Sequence, residues 1–147
     1  MLGGVEAKSL DQLPGWALEL LEHSRVGRLG MLDADDRPRV LPVTYALHDG
    51  ALWSAIDRKP KRAVQPARIR YLRRRPDAAL TVDHYSDDWE ELAWVQALGR
   101  VEVLAPAEAP AALAALVARY EPYRREPPPG PLLRLSPSRF LCWRAAL

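Results

Sequence analysis

Arg39-Val40-Leu41-Pro42-Val43-Thr44-Tyr45-Ala46-Leu47, then His48-Asp49-Gly50, then Ala51-Leu52-Trp53-Ser54-Ala55-Ile56, is the stretch that decides the fold. Apolar, β-branched and aromatic residues flank Asp49-Gly50 on both sides, and that dipeptide suits the positive backbone angles of a tight hairpin turn. The sequence therefore predicts two antiparallel strands meeting at this turn. Pro42 has no amide hydrogen to give to a ladder, so its position belongs to a sheet edge or a bulge.

Working outward, Val26-Gly27-Arg28-Leu29-Gly30-Met31-Leu32 reads as a strand stopped by the turn residues Asp33-Ala34-Asp35-Asp36-Arg37-Pro38. With the two strands after it, it predicts a three-stranded antiparallel meander. Leu10 to Leu21 predicts a short helix with Pro14 in its first turn and Leu13, Ala17, Leu20 and Leu21 on one face. Pro60 and Pro66 limit the next helix to Ala67 through Arg74, where Ile69 and Leu72 face one way. Asp77 to Tyr85 and Leu92 to Val103 are the fourth and fifth strands, separated by the acidic loop Ser86 to Glu91. Pro106 to Tyr120 predicts a helix, Glu121 to Pro131 a loop, and Leu132 to Trp143 a sixth strand. Six strands with short helices at the crossovers predict a mainly β (α+β) chain folded as one antiparallel β-barrel domain over residues 1–147.

A composition 48% hydrophobic and 27% charged is that of a globular chain with a core of its own, not of a disordered one. The single cysteine, Cys142, excludes an intrachain disulfide and a multi-cysteine metal site, and suits a reducing compartment. Glu6, Lys8 and Asp11 interrupt any apolar core of a signal peptide, and the run Ala111 to Ala118 is too short for a membrane span. The expectation is a cytoplasmic protein with no membrane partner.

Net charge is only +2, yet about half the positions from Arg58 to Arg75 are Lys or Arg and none is Asp or Glu. Arg58-Lys59-Pro60-Lys61-Arg62 follows a strand end, where donors can converge on an anion such as a phosphate. Arg68 and Arg70, two residues apart, do not share a helix face and suit different partners. The same run also reads as a solvated basic face, or as a nucleic-acid surface. Against the last stand the near-neutral remainder of the chain and the lack of interleaved aromatics apart from Tyr71.

His23, His48 and His84 are scattered and have no cysteine cluster beside them, so no metal site is expected. His84 reads as a structural or cavity-lining residue, and Cys142 as buried and inert. No nucleophile triad, phosphate loop or dinucleotide glycine motif is present, so no catalytic residue is assigned and any chemistry comes from a bound cofactor. Trp53, Trp89, Trp94 and Trp143 either fill the core or flank a planar ligand, and Trp89 in its acidic loop reads equally as a lid or as an anchor on a partner chain.

The order helix, Arg25-Val26-Gly27-Arg28-Leu29-Gly30, turn, Arg37-Pro38-Arg39-Val40-Leu41-Pro42-Val43-Thr44-Tyr45, hairpin, basic loop, Arg75-Pro76-Asp77-Ala78-Ala79-Leu80-Thr81-Val82-Asp83 resembles the pyridoxamine 5′-phosphate oxidase-like, FMN-binding split-barrel family. Lys59-Pro60-Lys61-Arg62, Asp83-His84-Tyr85, Asp88-Trp89 and Trp94-Val95-Gln96 with Gly99 are most similar to its branch dependent on the deazaflavin coenzyme F420. The resemblance implies a six-stranded antiparallel split barrel with short flanking helices, forming a homodimer with the cofactor ring at the subunit interface. It implies cofactor contacts at Pro42, Val43, Thr44, Ser54, Ala55, Ile56 and Asp57. It places the phosphate at Lys59, Lys61 and Arg62, with Arg68 and Arg70 at the following helix, and it gives Trp94 and Gln96 across the interface. Tyr85 and Trp89 are the substrate-side candidates. The implied function is hydride transfer between reduced F420 and a small or planar organic substrate. The alternatives are an FMN-dependent oxidoreductase and a non-catalytic cofactor carrier. The long stretch between Ile56 and Arg68 departs from the shorter loop of the oxidase itself, and the oxidase's substrate-phosphate residues find no match.

Overall fold

The computed structural model describes residues 4–56 and 66–145. Eight strands form one antiparallel sheet: β1 (Gly4–Ala7), β2 (Gly27–Leu32), β3 (Pro38–Val43), β4 (Ala46–His48), β5 (Ala51–Ala55), β6 (Asp77–His84), β7 (Ala93–Leu104) and β8 (Leu132–Arg144). Four α-helices accompany them, α1 (Gly15–His23), α2 (Ala67–Arg74), α3 (Pro110–Arg119) and α4 (Glu121–Arg125). The strand order is β3-β2-β6-β7-β8-β5-β4, with β1 pairing the C-terminal half of β8. The chain is thus mainly β, a split barrel whose terminal strands β3 and β4 are joined through the chain and not by a ladder.

The expected count of six strands is corrected to eight among the described residues. β1 was not anticipated, because Gly4–Ala7 has no alternation of its own and is a strand only through its pairing with β8. The expected strand Arg39 to Leu47 is two strands, broken at Thr44 and Tyr45. The meander is corrected accordingly: the β2–β3 and β4–β5 hairpins lie at opposite ends of the sheet order. Tyr45 causes the break. Its side chain is buried and donates to the Leu21 carbonyl at 2.5 Å, and its backbone N–H is taken by the Tyr120 hydroxyl at 3.1 Å. The loop expected from Glu121 likewise begins as α4, whose Tyr123 is buried. Pro42 does lie on an edge strand, since β3 pairs only with β2.

Alternation sorts the strands into two faces. Leu29, Met31, Leu80, Val82, Val95, Ala97, Phe140 and Cys142 point inward, joined by Ala17 and Leu21 of α1 and by Ile69 and Leu72 of α2. A second cluster lies outside the barrel, where α3 and α4 place Ala112, Leu116, Tyr120 and Tyr123 on Ala51, Trp53, Ala55 and Leu132. β5 is therefore buried on both sides, which is why its sequence is continuously apolar or small. β7 and β8 slip by one residue between Leu98 and Gly99, leaving Ser138 as the extra residue of a bulge. Gly99 is required there, because a Cβ would stand 2.0 Å from the Ser136 carbonyl oxygen.

Candidate functional site

Where the barrel splits, the end of β3, the end of β5 and the start of α2 border a pocket of about 170 Å³ lined by Val26, Pro42, Val43, Thr44, Ser54, Ala55 and Arg68. Its walls follow from local structure. The buried Ser54 hydroxyl donates to the Thr44 carbonyl at 2.7 Å, bridging the two strand ends where no ladder joins them. The Thr44 hydroxyl lies 2.8 Å from the Tyr123 hydroxyl of α4. Both hydroxyls are thus committed to holding the chain crossing. What the pocket presents is backbone, the small surfaces of Ser54 and Ala55, the apolar side chains of Val26, Pro42 and Val43, and Arg68.

Six of the expected cofactor contacts are brought together here: Pro42, Val43, Thr44, Ser54, Ala55 and Arg68. Ile56 is buried beside them, its N–H donating to the Pro131 carbonyl at 3.1 Å, and it does not line the pocket. Asp57, Lys59, Lys61 and Arg62 lie outside the described residues. Arg70 is exposed and absent from the pocket wall, so the two-residue offset does send Arg68 and Arg70 in different directions. Arg74 and Arg75 serve the fold: they donate to Asp36 at 2.9 and 3.1 Å, and these hydrogen bonds, Arg74's foremost, hold its carboxyl below the usual carboxylate range. That removes two cations from any anion site.

Trp94 and Gln96 alternate with the buried Val95 and Ala97, so they stand on the outer face of β7, away from this chain's own pocket. The Gln96 amide donates to the Thr81 hydroxyl at 3.1 Å. Tyr85 and Trp89 are 66% and 69% exposed and do not touch the pocket. Cys142 is buried, and burial pushes its thiol up, which keeps it protonated and unreactive. Among the described residues no group of three His, Cys, Asp or Glu could hold a metal ion, and no helix is long and apolar enough to cross a membrane.

Val26 was missed as a site residue because it reads simply as a strand start. The struts Tyr120 and Tyr123 were missed because nothing local links residue 120 to residue 45. His84 lines a second cavity, between α1 and the strand ends, in keeping with its cavity-lining reading; the lining residues from α1, β7 and β8 have no signature in the sequence.

A family profile described as pyridoxamine 5′-phosphate oxidase matches residues 14–144. Among solved structures, a conserved hypothetical protein from Mycobacterium tuberculosis superposes with a TM-score of 0.74 at 19% identity, over 90% of this chain and 86% of that one. An FAD-binding protein from Mesorhizobium loti gives 0.65 at 20% identity, over 97% and 98%. The heme storage protein HutZ from Vibrio cholerae gives 0.69 at 13% identity, over 86% and 90%. These structural likenesses bear on the fold alone. No curated protein matches the sequence.

Proposed function

The chain belongs to the pyridoxamine 5′-phosphate oxidase family, and from that premise we propose that it is an oxidoreductase holding a phosphate-bearing flavin-type cofactor between two copies of itself. One observation carries the reading. The pocket that gathers Pro42, Val43, Thr44, Ser54, Ala55 and Arg68 measures about 170 Å³, whereas sites for small organic ligands span roughly 300–1,000 Å³. The residues suit one edge of a planar ring and its anionic tail, and a second surface has to cover the remainder.

A second copy of this chain supplies such a surface. Helices α3 and α4 cover the outer face only over β4, β5 and the start of β8. Among the described residues no helix packs on the outer face of β2, β6, β7 and the end of β8, which presents Ala79, Trp94, Gln96, Leu98, Leu141 and Trp143 together with the exposed Arg28, Asp83 and Arg139. At the adjoining edge Val40 is 67% exposed. An apolar strip of Trp94, Leu98, Leu141 and Trp143 rimmed by such charges suits association.

The finer reading is the deazaflavin F420, with FMN as the alternative. Even without Arg74 and Arg75, the run from Arg58 to Arg73 holds more cations than one phosphate needs, which suits the longer polyanionic tail of the deazaflavin. When bound, either cofactor supplies hydride transfer to a small or planar organic substrate. The protein's part is to neutralise the phosphate, orient the ring against backbone and small side chains, and exclude water. A carrier without turnover is the second reading, favoured by the absence of any proton-transferring side chain among the described residues that line the pocket.

Titration of purified protein with F420 and with FMN, followed by fluorescence and by sedimentation, tests the proposal. Binding of one of them at one site per chain in a dimer is expected. A monomer that binds neither overturns the reading. Binding without reduction across a panel of quinones, enones and biliverdin-type acceptors transfers the case to the carrier.

A further inference from the structure

A second cavity, of about 520 Å³, lies between α1 and the ends of β6, β7 and β8 and shares no lining residue with the pocket at the barrel split. Its floor is a row across three strands. His84 pairs with Ala93 and Ala93 with Arg144, and all three continue the inward alternation of the buried Val82, Val95 and Cys142. The small Ala93 between two long neighbours leaves the hollow. The roof is one stripe of α1, Trp16, Glu19, Leu20 and His23, at the three- and four-residue spacings that share a helix face. Glu90, Glu91 and Leu92 close the side.

Among the described residues the cavity's one cation that stays charged at all working pH, Arg144, is not paired with its carboxylates. The Arg144 guanidinium lies 5.2 Å from the centre of the Trp16 ring, and its Nε is shielded from solvent with no hydrogen-bond partner. Among the described residues none of Glu19, Glu90 and Glu91 forms an ion pair with it, and Glu91 instead lies 3.9 Å from His84. A buried donor left unpaired is costly, and Arg is the side chain whose planar fork matches a carboxylate. An acidic wall, a guanidinium with one buried N–H left without a partner among the described residues, and an apolar centre of Trp16, Leu20, Leu92 and Ala93 thus share one ligand-sized space.

We propose that this cavity is a binding site for a small zwitterion with an apolar body, of the amino-acid type, whose carboxylate meets Arg144 and whose ammonium meets the Glu90–Glu91 wall. Because its floor lies on the inner face of the sheet, a partner docked on the outer face leaves it open. The site is independent of the cofactor reading, and its failure would leave flavin binding untouched.

The test uses the full chain with L-phenylalanine as probe, and phenethylamine and 3-phenylpropanoate as its one-charge counterparts, by calorimetry and by the Trp16 indole NMR signal. L-Phenylalanine binds more tightly than either counterpart. Arg144→Gln weakens it by at least about 10-fold and leaves phenethylamine unaffected. The double variant Glu90→Gln/Glu91→Gln leaves 3-phenylpropanoate binding undiminished. Ala93→Leu, which fills the hollow with an apolar side chain, abolishes binding of all three while circular dichroism and cofactor affinity stay as in the parent. No binding of L-phenylalanine, tighter binding of phenethylamine alone, or affinity indifferent to Ala93→Leu overturns the proposal.

Discussion

The Tyr120 hydroxyl takes the place of a neighbouring strand at Tyr45. It accepts from the Tyr45 N–H at 3.1 Å and shares its proton between the carbonyls of Tyr45, at 2.9 Å, and Arg25, at 2.8 Å. One side chain from α3's C-terminal boundary therefore satisfies both backbone groups at the point where the barrel splits, which lets the chain cross from β3 to β4 without a ladder. Arg119 beside it donates to the carbonyls of Glu22 and Ser24 at the end of α1. α1, the crossing and α3 are tied into one unit next to the candidate cofactor pocket.

Tyr120→Phe keeps the ring and leaves the buried Tyr45 N–H and carbonyl unpaired. Loss of stability by about 1–3 kcal/mol is expected, measured by urea unfolding. Because Thr44 and Ser54 border the same crossing, cofactor affinity should fall as well.

Alkaline stability should respond to Tyr45. Burial pushes its hydroxyl up from 10.0 to about 12, with Arg119 opposing the shift. The raised value means that the folded chain keeps its proton where the unfolded chain loses it. This stabilisation is fully present below pH 10.0 and is lost as pH rises towards about 12, at a slope of at most roughly 1.4 kcal/mol per pH unit. Tyr45→Phe, though less stable at neutral pH without its bond to Leu21, should show a flatter decline in that window. A parallel decline in both proteins would assign the alkaline transition to another group.

Two glycines of the sheet should differ sharply on substitution by alanine. At Gly99 the new Cβ meets backbone, 2.0 Å from the Ser136 oxygen and 2.9 Å from the Pro137 Cα, so Gly99→Ala has to open the β7–β8 bulge. At Gly30 the nearest atom is 3.7 Å away, an ordinary contact. Thermal unfolding should show Gly99→Ala strongly destabilised, by several kcal/mol on the scale of forced overpacking, and Gly30→Ala close to the parent.

Val26→Trp is expected to fill the pocket rim, since Val26 is 38% exposed there. Flavin or deazaflavin affinity should drop at least about 10-fold, the scale of a lost favourable contact of 1–2 kcal/mol, with the unfolding midpoint unchanged. The double variant Lys59→Ala/Lys61→Ala should weaken binding too and leave folding intact. Unchanged affinity in that pair would move the anion site to other cations.

Leu141→Lys places a charge in the middle of the uncovered sheet face, opposite Gln96 on β7. Sedimentation velocity should report a monomer that retains its circular dichroism spectrum and has lost cofactor affinity. A variant that stays dimeric and binds normally would put the association surface elsewhere.

The sequence by itself determined what depends on neighbours along the chain. The Asp49-Gly50 hairpin, with both residues at positive φ, α2 over Ala67–Arg74 bounded by Pro66, and the strands β6 and β7 were all legible, because turn chemistry and strand-forming runs are local. So was the grouping of Pro42 to Thr44 with Ser54, Ala55 and Arg68, through resemblance of motif order. Tertiary structure alone decided the eight-strand order, the break at Thr44 and Tyr45, the commitment of Arg74 and Arg75 to Asp36, and the hollow over Ala93. Each of those rests on a contact between residues far apart in the chain: Tyr45 with Tyr120, Gly4–Ala7 with β8, Asp36 with Arg74, Ala93 with Arg144. A hydrogen bond or a void of that kind is set by where whole elements pack, and no period or dipeptide in the sequence encodes it.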